Sequence, residues 1–474
     1  MQPSPTQQKI LVMKFGGTSV GSVAAFRQVI EIIKTAQKDW PRIAVVISAM
    51  NGITDLLTES ALHASCGNIA ECVNTADVLQ ERHVAVLQEL VADTALYTRT
   101  RQGIQKLIDD FSSFCRAISV LGEVTPRAMD AIVSLGERMN VRLLSAVLQS
   151  AGIQADFVES GQLILTDEQF QNARPQMAET RQRTREVLLP MLAAGTIPVI
   201  TGFIGATQEG VVTTLGRGGS DYSAAILGIS LDAQAVWVWT DVDGIMTADP
   251  RVVKDAQTIP TLTYAEVAEM ANFGAKVLHP KTIHPIVEAD IALRVCNTFN
   301  PAHAGTQIVS NDHLVNNGKL KTIATICGLR LVTIKGRGML GVPGVAARIL
   351  SAVATTHASV PLIAEASSEQ SICFAISSDL AESAIAAIEN AMAAEIADKD
   401  IDEINATEEV AIVTLVGPGM RSTVGIAGKI FMTLAEQQIN VISISYGSSD
   451  LSFSLVVLEK DMQHAVNALH HLVC

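Results

Sequence analysis

Three glycine-rich segments hold the residues best suited to chemistry. The first is Lys14-Phe15-Gly16-Gly17-Thr18-Ser19-Val20-Gly21, a lysine at the tip of an apolar run with two glycines close behind. Glycines at a strand end let backbone N–H groups approach an anion, and the helix N-terminus that follows adds partial positive charge. Lys14 precedes the first glycine, so this is not a Walker A loop, where lysine follows the last one. Alone, the same residues describe a tight strand–helix turn with a surface lysine. The second segment is Leu215-Gly216-Arg217-Gly218-Gly219-Ser220-Asp221-Tyr222. Arg217 has the planar fork that clamps a carboxylate or phosphate in bidentate fashion. A helix is expected over Tyr222 to Gly228, which puts Ser220 and Asp221 where a cap belongs. Capping accounts for Asp221 but not for Arg217 between glycines.

The third segment runs from Trp239 through Thr240, Asp241, Val242, Asp243, Gly244, Ile245, Met246, Thr247, Ala248 and Asp249 to Pro250-Arg251. Here an apolar strand enters an acidic, turn-forming loop. Ligands bind at the C-terminal ends of parallel strands, although Asp, Gly and Pro are also ordinary turn residues. Lys276 and Lys281, within Gly274 to Lys281, form a candidate cation pair on a nucleotide side. His279 precedes a proline and is read as structural rather than as a metal ligand; no metal site is expected. No Ser-His-Asp or Cys-His arrangement is visible.

The elements that must position these residues follow a βαβ rhythm. Ile10 to Phe15 is a strand, Val23 to Lys34 a helix and Ile43 to Ile47 a second strand. Residues 55–121 are long, polar and helix-periodic, which predicts an inserted helical subdomain. Strands return at Gly152 to Val158, Ile197 to Thr201 and Ala235 to Thr240, which predicts a mostly parallel, doubly wound α/β sheet. Asn311 to Gly318 has linker composition. Beyond it lies an internal repeat at an offset of 81, set by Val332 onto Val413. Gly336, Gly338, Met339 and Gly344 meet Gly417, Gly419, Met420 and Gly425, and Ser367-Ser368-Glu369 meets Ser448-Ser449-Asp450. Each copy spells strand, Gly-rich turn, helix, strand, turn, strand, a ferredoxin-like βαββαβ pattern.

Bulk properties narrow the class. The 474 residues suggest two to four domains, and 48% hydrophobic content excludes a disordered chain. A net charge of -14 argues against nucleic acid or an anionic membrane as a partner. Seven scattered cysteines without a CxxC pair point to free thiols in a reducing compartment. The start MQPSPTQQ is polar and unlike a signal peptide. The apolar stretch Leu188 to Ala206 is broken by Pro190, Gly195, Pro198 and Gly202, so a soluble, cytoplasmic protein is expected.

Together, KFGGTSV, GER (Gly136-Glu137-Arg138), GFIG (Gly202 to Gly205), LGRGGSDYSA, TDVDGI and GAKVLHP resemble the aspartate kinase branch of the amino acid kinase family, in its order and spacing. The resemblance runs from Ile10 almost to the C-terminus. It implies a three-layer amino acid kinase sandwich over 9–310 with a helical insert at about 55–121. Two ACT domains would follow, over 320–400 and 401–474. In the family the second ACT module is nested within the first, which implies that the last strand returns to complete the first. It implies a kinase that uses ATP and Mg²⁺ to phosphorylate L-aspartate, the first step of lysine, threonine and methionine biosynthesis.

By resemblance, Lys14 and Asp221 are catalytic. Thr54, Glu137, Phe203, Arg217 and Ser220 hold the substrate. Lys14, Gly16, Gly17, Thr18, Ser19, Thr240, Asp241, Met246 and Lys276 form the ATP side. Met246 stands where the family usually has tyrosine. Glu365 and Tyr446 are candidate effector-site residues and stand where threonine-responsive members have glutamine; lysine, threonine, another effector or none remain open. ACT domains imply a homodimer or higher homo-oligomer. The nearest layout is the kinase half of bifunctional aspartate kinase–homoserine dehydrogenases, although the sequence ends at Cys474 and no dehydrogenase is expected after it. A carboxylate substrate is already ionised at neutral pH, its pKa being about 4, so no general base is required. Positioning, cations and backbone N–H groups suffice.

Three rivals remain at this point. Gly336-Arg337-Gly338-Met339-Leu340-Gly341 matches the dinucleotide fingerprint GxGxxG, but its repeat partner lacks the third glycine. A related kinase for acetylglutamate, glutamate or UMP is the second rival, and a catalytically dead amino-acid sensor the third.

Overall fold

Short aliphatic runs, apolar toward both faces, make the central strands. The computed structural model describes residues 9–473 apart from 275–277, 279–284, 287, 311–318, 340–341, 366–369 and 447–449. Lys276, His279, Lys281, the Asn311 to Gly318 linker, Gly341, Ser367-Ser368-Glu369 and Ser448-Ser449 thus lie outside the described residues. The chain forms two units. The first holds Met1–Ile245, Thr258–Tyr264 and Leu278–Ser310, and the second holds Met246–Gln257, Ala265–Val277 and Asn311–Cys474.

In the first unit, β1 (Ile10–Phe15) leads through a glycine turn to α1 (Val23–Ala36) and β2 (Arg42–Ile47). Every residue of β1 is buried, as a strand covered by helices on both faces requires. Next come α2 (Ile53–Ser65), α3 (Ile69–Leu90) and α4 (Thr94–Leu121), which form the helical insert with α5 (Pro126–Ser150) against them. Local chemistry sets their limits. Asp93 caps α4 by accepting from the Leu96 N–H, and Gly122 ends it in the left-handed region. Thr125 caps α5, with Pro126 at its first position. The chain continues through β3 (Ala155–Val158), α6 (Met177–Ala193), β4 (Ile197–Thr201) and the hairpin of β5 (Ile204–Ala206) and β6 (Val212–Thr214). It then forms α7 (Gly219–Ser230), β7 (Ala235–Thr240), β8 (Thr261–Thr263), α8 (Tyr264–Asn272), β9 (Ala292–Asn297) and β10 (Thr306–Val309). The main sheet has the order β3-β4-β2-β1-β7-β9-β10-β8 and is parallel except where β10 meets β9. The C-terminal ends of β4, β2, β1 and β7 therefore lie side by side.

The second unit contains β11 (Thr322–Lys335), α9 (Val345–Ala354), β12 (Leu362–Glu365), β13 (Ser371–Ser377) and α10 (Ala381–Ala391). The same series recurs as β14 (Glu403–Val416), α11 (Ile426–Glu436), β15 (Ser443–Tyr446), β16 (Ser452–Leu458) and α12 (Glu459–His470). The antiparallel sheet order is β12-β13-β11-β14-β16-β15. One expectation is corrected here. The last described strand, β16, pairs with β14 and β15 and not with β11 or β13, so it does not return to complete the first module. Instead each long strand serves both modules. The second half of β11 pairs with β13 and with the start of β14, completing the first module. The second half of β14 pairs with β16 and with Thr322–Ile326 of β11, completing the second.

This exchange explains the glycines that imitate a dinucleotide fingerprint. A Cβ on Gly336 would lie 2.1 Å from the Asp400 carbonyl oxygen, and one on Gly417 2.3 Å from that of Lys319. The Gly338 N–H donates to the Asp400 carbonyl at 3.1 Å. These glycines give passage to the chain entering the exchanged strand. Gly336→Ala should therefore cost about 1–3 kcal/mol or more of stability in urea unfolding. Gly428→Ala in α11, where a Cβ meets nothing within 4 Å, should be neutral or stabilising. Equal stability of Gly336→Ala and wild type would contradict the exchanged-strand explanation.

Candidate active site

Lys14 reaches the C-terminal edge of the sheet one residue before β1 ends. The Gly16 N–H donates to the Trp239 carbonyl at 3.1 Å, and the Gly17 carbonyl accepts from the Asn51 N–H at 3.1 Å. A Cβ on Gly17 would sit 3.0 Å from the Ala49 carbonyl oxygen, so a bare backbone lets the two turns meet. The Lys14 Nζ lies 2.6 Å from Asp221 Oδ1, with the two side chains only 10% and 16% exposed. That contact replaces the capping role expected of Asp221. α7 opens at Gly219, three residues earlier than the sequence predicts, after Gly218 in the left-handed conformation (φ 72°). No side chain caps it, and Asp221 in its first turn points its charge to Lys14.

Around this pair lies a cavity of about 630 Å³. Thr54, Glu137, Phe203, Arg217 and Ser220 all line it together with Lys14 and Asp221. Thr54 comes from the first turn of α2, which starts after Gly52 in the left-handed region. Glu137 comes from α5, where Gly136 permits close approach: a Cβ there would lie 2.8 Å from that of Ala49. Glu137 is 3% exposed and its Oε2 has no hydrogen-bond partner among the described residues. Burial is the main reason its carboxyl is pushed up to about 8, against a smaller opposite effect from a backbone hydrogen bond with Ala49. Phe203 holds a left-handed φ of 67°, its N–H donating to the Ser223 hydroxyl at 3.0 Å. Arg217 is exposed between Gly216 and Gly218, both left-handed.

Other named residues fall elsewhere. Thr18 and Ser19 form the 3₁₀ turn after Gly17, and the Ser19 hydroxyl donates to the Trp239 carbonyl at 3.3 Å. Thr240 ends β7, and its hydroxyl donates to the Asp241 carboxylate at 3.1 Å. Met246 belongs to the second unit, where its carbonyl accepts from the Thr322 hydroxyl at 3.0 Å. Lys276 lies outside the described residues. Glu365 and Tyr446 close the edge strands β12 and β15 at equivalent repeat positions. The Tyr446 ring packs edge-on to Phe453 at 5.0 Å, and its hydroxyl donates to the Met420 carbonyl. Among the described residues, no group of three or more His, Cys, Asp or Glu could hold a metal ion, and no helix is long and apolar enough to cross a membrane.

Two buried residues escaped the sequence reading. Asp130 lines the cavity with 0% exposure, and Asn140 donates to the Ser48 carbonyl at 2.7 Å. Both lie on α5 at helical spacing from Glu137, on a largely apolar buried face; that spacing is the signal that could have found them.

A model of the amino acid kinase family matches residues 9–297, and an ACT domain model matches 332–392 and 413–472. The chain belongs to the amino acid kinase family, with ACT domains after the kinase fold. It is 33% identical over 464 residues to the bifunctional aspartokinase/homoserine dehydrogenase 1 of Arabidopsis thaliana, covering 97% of this chain and 50% of that one. The chain thus spans about half the length of the first curated relatives it matches. Aspartokinase 3 of the same plant is 33% identical, with 98% of this chain and 82% of that one covered. Among solved structures, E. coli aspartokinase III in complex with aspartate and ADP has a TM-score of 0.82 at 30% identity, covering 98% and 100% of the two chains. The same enzyme with lysine and aspartate gives 0.76 at 31% identity, covering 98% and 99%.

The raised Glu137 pKa makes a prediction about the unliganded fold. The folded state holds a proton that the unfolded chain releases between pH 4.5 and about 8. Its contribution to stability is fully present below pH 4.5 and is lost as pH rises through about 8. Urea unfolding across this window should show wild type losing more stability with rising pH than Glu137→Gln. Parallel pH dependences would contradict a neutral, buried Glu137.

Proposed function

We propose that the protein is an aspartate kinase, transferring the γ-phosphoryl group of ATP to the β-carboxylate of L-aspartate to give 4-phospho-L-aspartate and ADP. The observation that carries this reading is the buried Lys14–Asp221 pair, set in a cavity whose walls also hold Glu137 and Arg217. A cation, an isolated carboxyl and an exposed guanidinium together match a substrate with one ammonium and two carboxylates. Arg217 takes the α-carboxylate through its fork. Glu137 takes the ammonium, whose charge draws the Glu137 pKa back down and restores the carboxylate. Thr54, Phe203 and Ser220 flank the substrate, and its β-carboxylate is left to face Lys14.

The attacking carboxylate is already ionised, so the residues handle charge rather than move a proton. Lys14 and the N–H groups of the Gly16-Gly17-Thr18-Ser19 turn stabilise the phosphates and the transferring group. Asp221 holds the Lys14 ammonium in place. Thr240 and Asp241 follow on the nucleotide side, with Met246 and Lys276 assigned there by resemblance alone. Magnesium would bind through one or two carboxylates plus nucleotide phosphates rather than in a protein cage. Asp221 is the carboxylate beside Lys14 that fits this role, and the ion supplies neutralisation of the phosphate oxygens.

The reaction would open lysine, threonine and methionine biosynthesis, with feedback through the ACT domains and a homo-oligomer formed by them. Glu365 and Tyr446, equivalent ends of edge strands, are the proposed effector residues. A lysine complex exists for E. coli aspartokinase III, which makes lysine the first effector to try, ahead of threonine.

Lys14→Ala should lower ADP release in the presence of aspartate by at least about 10²–10³-fold while the circular dichroism spectrum stays native. Wild-type turnover in that variant would remove the phosphate role of Lys14. Substitutions at Glu365 or Tyr446 should move the inhibition curve of a responsive effector more than kcat. An unchanged curve would count against the effector assignment.

A further inference from the structure

Asp130 lies two helical turns before Glu137 on α5, fully buried at the side of the cavity. Burying a carboxylate is costly unless several donors surround it. Asp130 has three. Its Oδ2 accepts from the Gln171 N–H at 2.9 Å and the Thr214 N–H at 2.9 Å, and its Oδ1 accepts from the Thr214 hydroxyl at 2.8 Å. Burial still raises its pKa above the usual carboxylate range, partly opposed by these bonds. Both oxygens are committed to protein donors, so the group acts on its two neighbouring segments.

Those segments bound the arginine loop. Thr214 ends β6, three residues before Arg217. Gln171 has a left-handed φ of 68°, unusual without glycine, and its carbonyl oxygen would lie 3.0 Å from a Cβ on Gly216. Within the loop, the Gly219 N–H donates to the Gly216 carbonyl at 2.9 Å and closes a turn, but Gly216 and Gly218 are both left-handed glycines and the Arg217 side chain forms no ion pair among the described residues. The Leu215 N–H donates to the Phe203 carbonyl at 2.9 Å, which ties the loop to another cavity residue.

We infer that Asp130 is a positioning residue that fixes the Thr214–Gly218 loop, so that Arg217 meets the substrate carboxylate already oriented. The inference rests on the proposed function for the identity of the substrate. It locates control of aspartate affinity in a residue that touches neither substrate nor nucleotide.

Three variants test it. Asp130→Ala removes all three bonds and loosens the loop, which keeps its ties through the Leu215 N–H and the Thr214 carbonyl. Asp130→Asn keeps the shape: its oxygen accepts from the two backbone N–H groups, and its amide donates to the Thr214 hydroxyl, which also accepts. Thr214→Val removes the hydroxyl bond alone and serves if Asp130→Ala does not fold. Asp130→Ala should raise KM for aspartate roughly tenfold, with kcat and KM for ATP within about twofold, and Asp130→Asn should restore most of the loss. In the ligand-free protein, amide hydrogen exchange over 214–218 should rise in Asp130→Ala and not in Asp130→Asn. An unaltered KM for aspartate, or equal losses for both substrates, overturns the inference. So does unchanged exchange in a folded Asp130→Ala. Wild-type protein without aspartate-dependent turnover would sink the proposed function instead; exchange then decides whether Asp130 tethers the loop.

Discussion

The site depends on one ion pair held mostly out of water. Lys14 comes from the end of β1 and Asp221 from the first turn of α7, and they meet at 2.6 Å. Removing either partner would leave the other charge uncompensated at the cavity wall, at a cost below the about 3–5 kcal/mol of a fully buried pair. The pair therefore fixes the start of α7 over the tip of the central strand. The glycines follow from that constraint: Gly17 lets the Ala49–Asn51 turn come close, and left-handed Gly218 lets α7 begin without a side-chain cap. In the proposed reaction a lysine so held is preorganised for the phosphate oxygens, because it needs no large rearrangement to meet them.

Glu137 shows the same trade between stability and chemistry. A carboxyl with an unpartnered oxygen inside the fold is a poor structural element. In the proposed function it becomes useful when the substrate ammonium brings the missing positive charge. Asp130, seven residues earlier on the same helix, is the opposite case: three donors from the protein occupy both of its oxygens. Burial is common to the two side chains, and the count of partners separates their tasks.

Much of this was legible in the sequence. The βαβ opening, the helical insert and the mostly parallel sheet followed from hydrophobic periodicity and glycine turns. The offset of 81 aligned β12 with β15 and β13 with β16 residue for residue. What was not legible depended on contacts far apart in the chain. Nothing local to Asp221 reveals that its partner is Lys14: its own segment suggests only a helix cap, and the role beside Lys14 came from the family resemblance. The exchanged strands had a weak signal: β11 and β14 span 14 residues each, more than one small module uses. Asp130 was hidden because its donors are 41 and 84 residues away.

The most direct test of the account is hydroxylamine trapping of an acyl phosphate in the presence of ATP and Mg²⁺. Aspartate, glutamate and acetylglutamate would be compared as phosphoryl acceptors. Arg217, Glu137 and Lys14 in one cavity predict an ATP-dependent hydroxamate from aspartate and none from the other two. Folded protein that forms no hydroxamate from aspartate, or forms it equally from acetylglutamate, would contradict the assignment of the cavity to an amino acid with a free ammonium and a β-carboxylate.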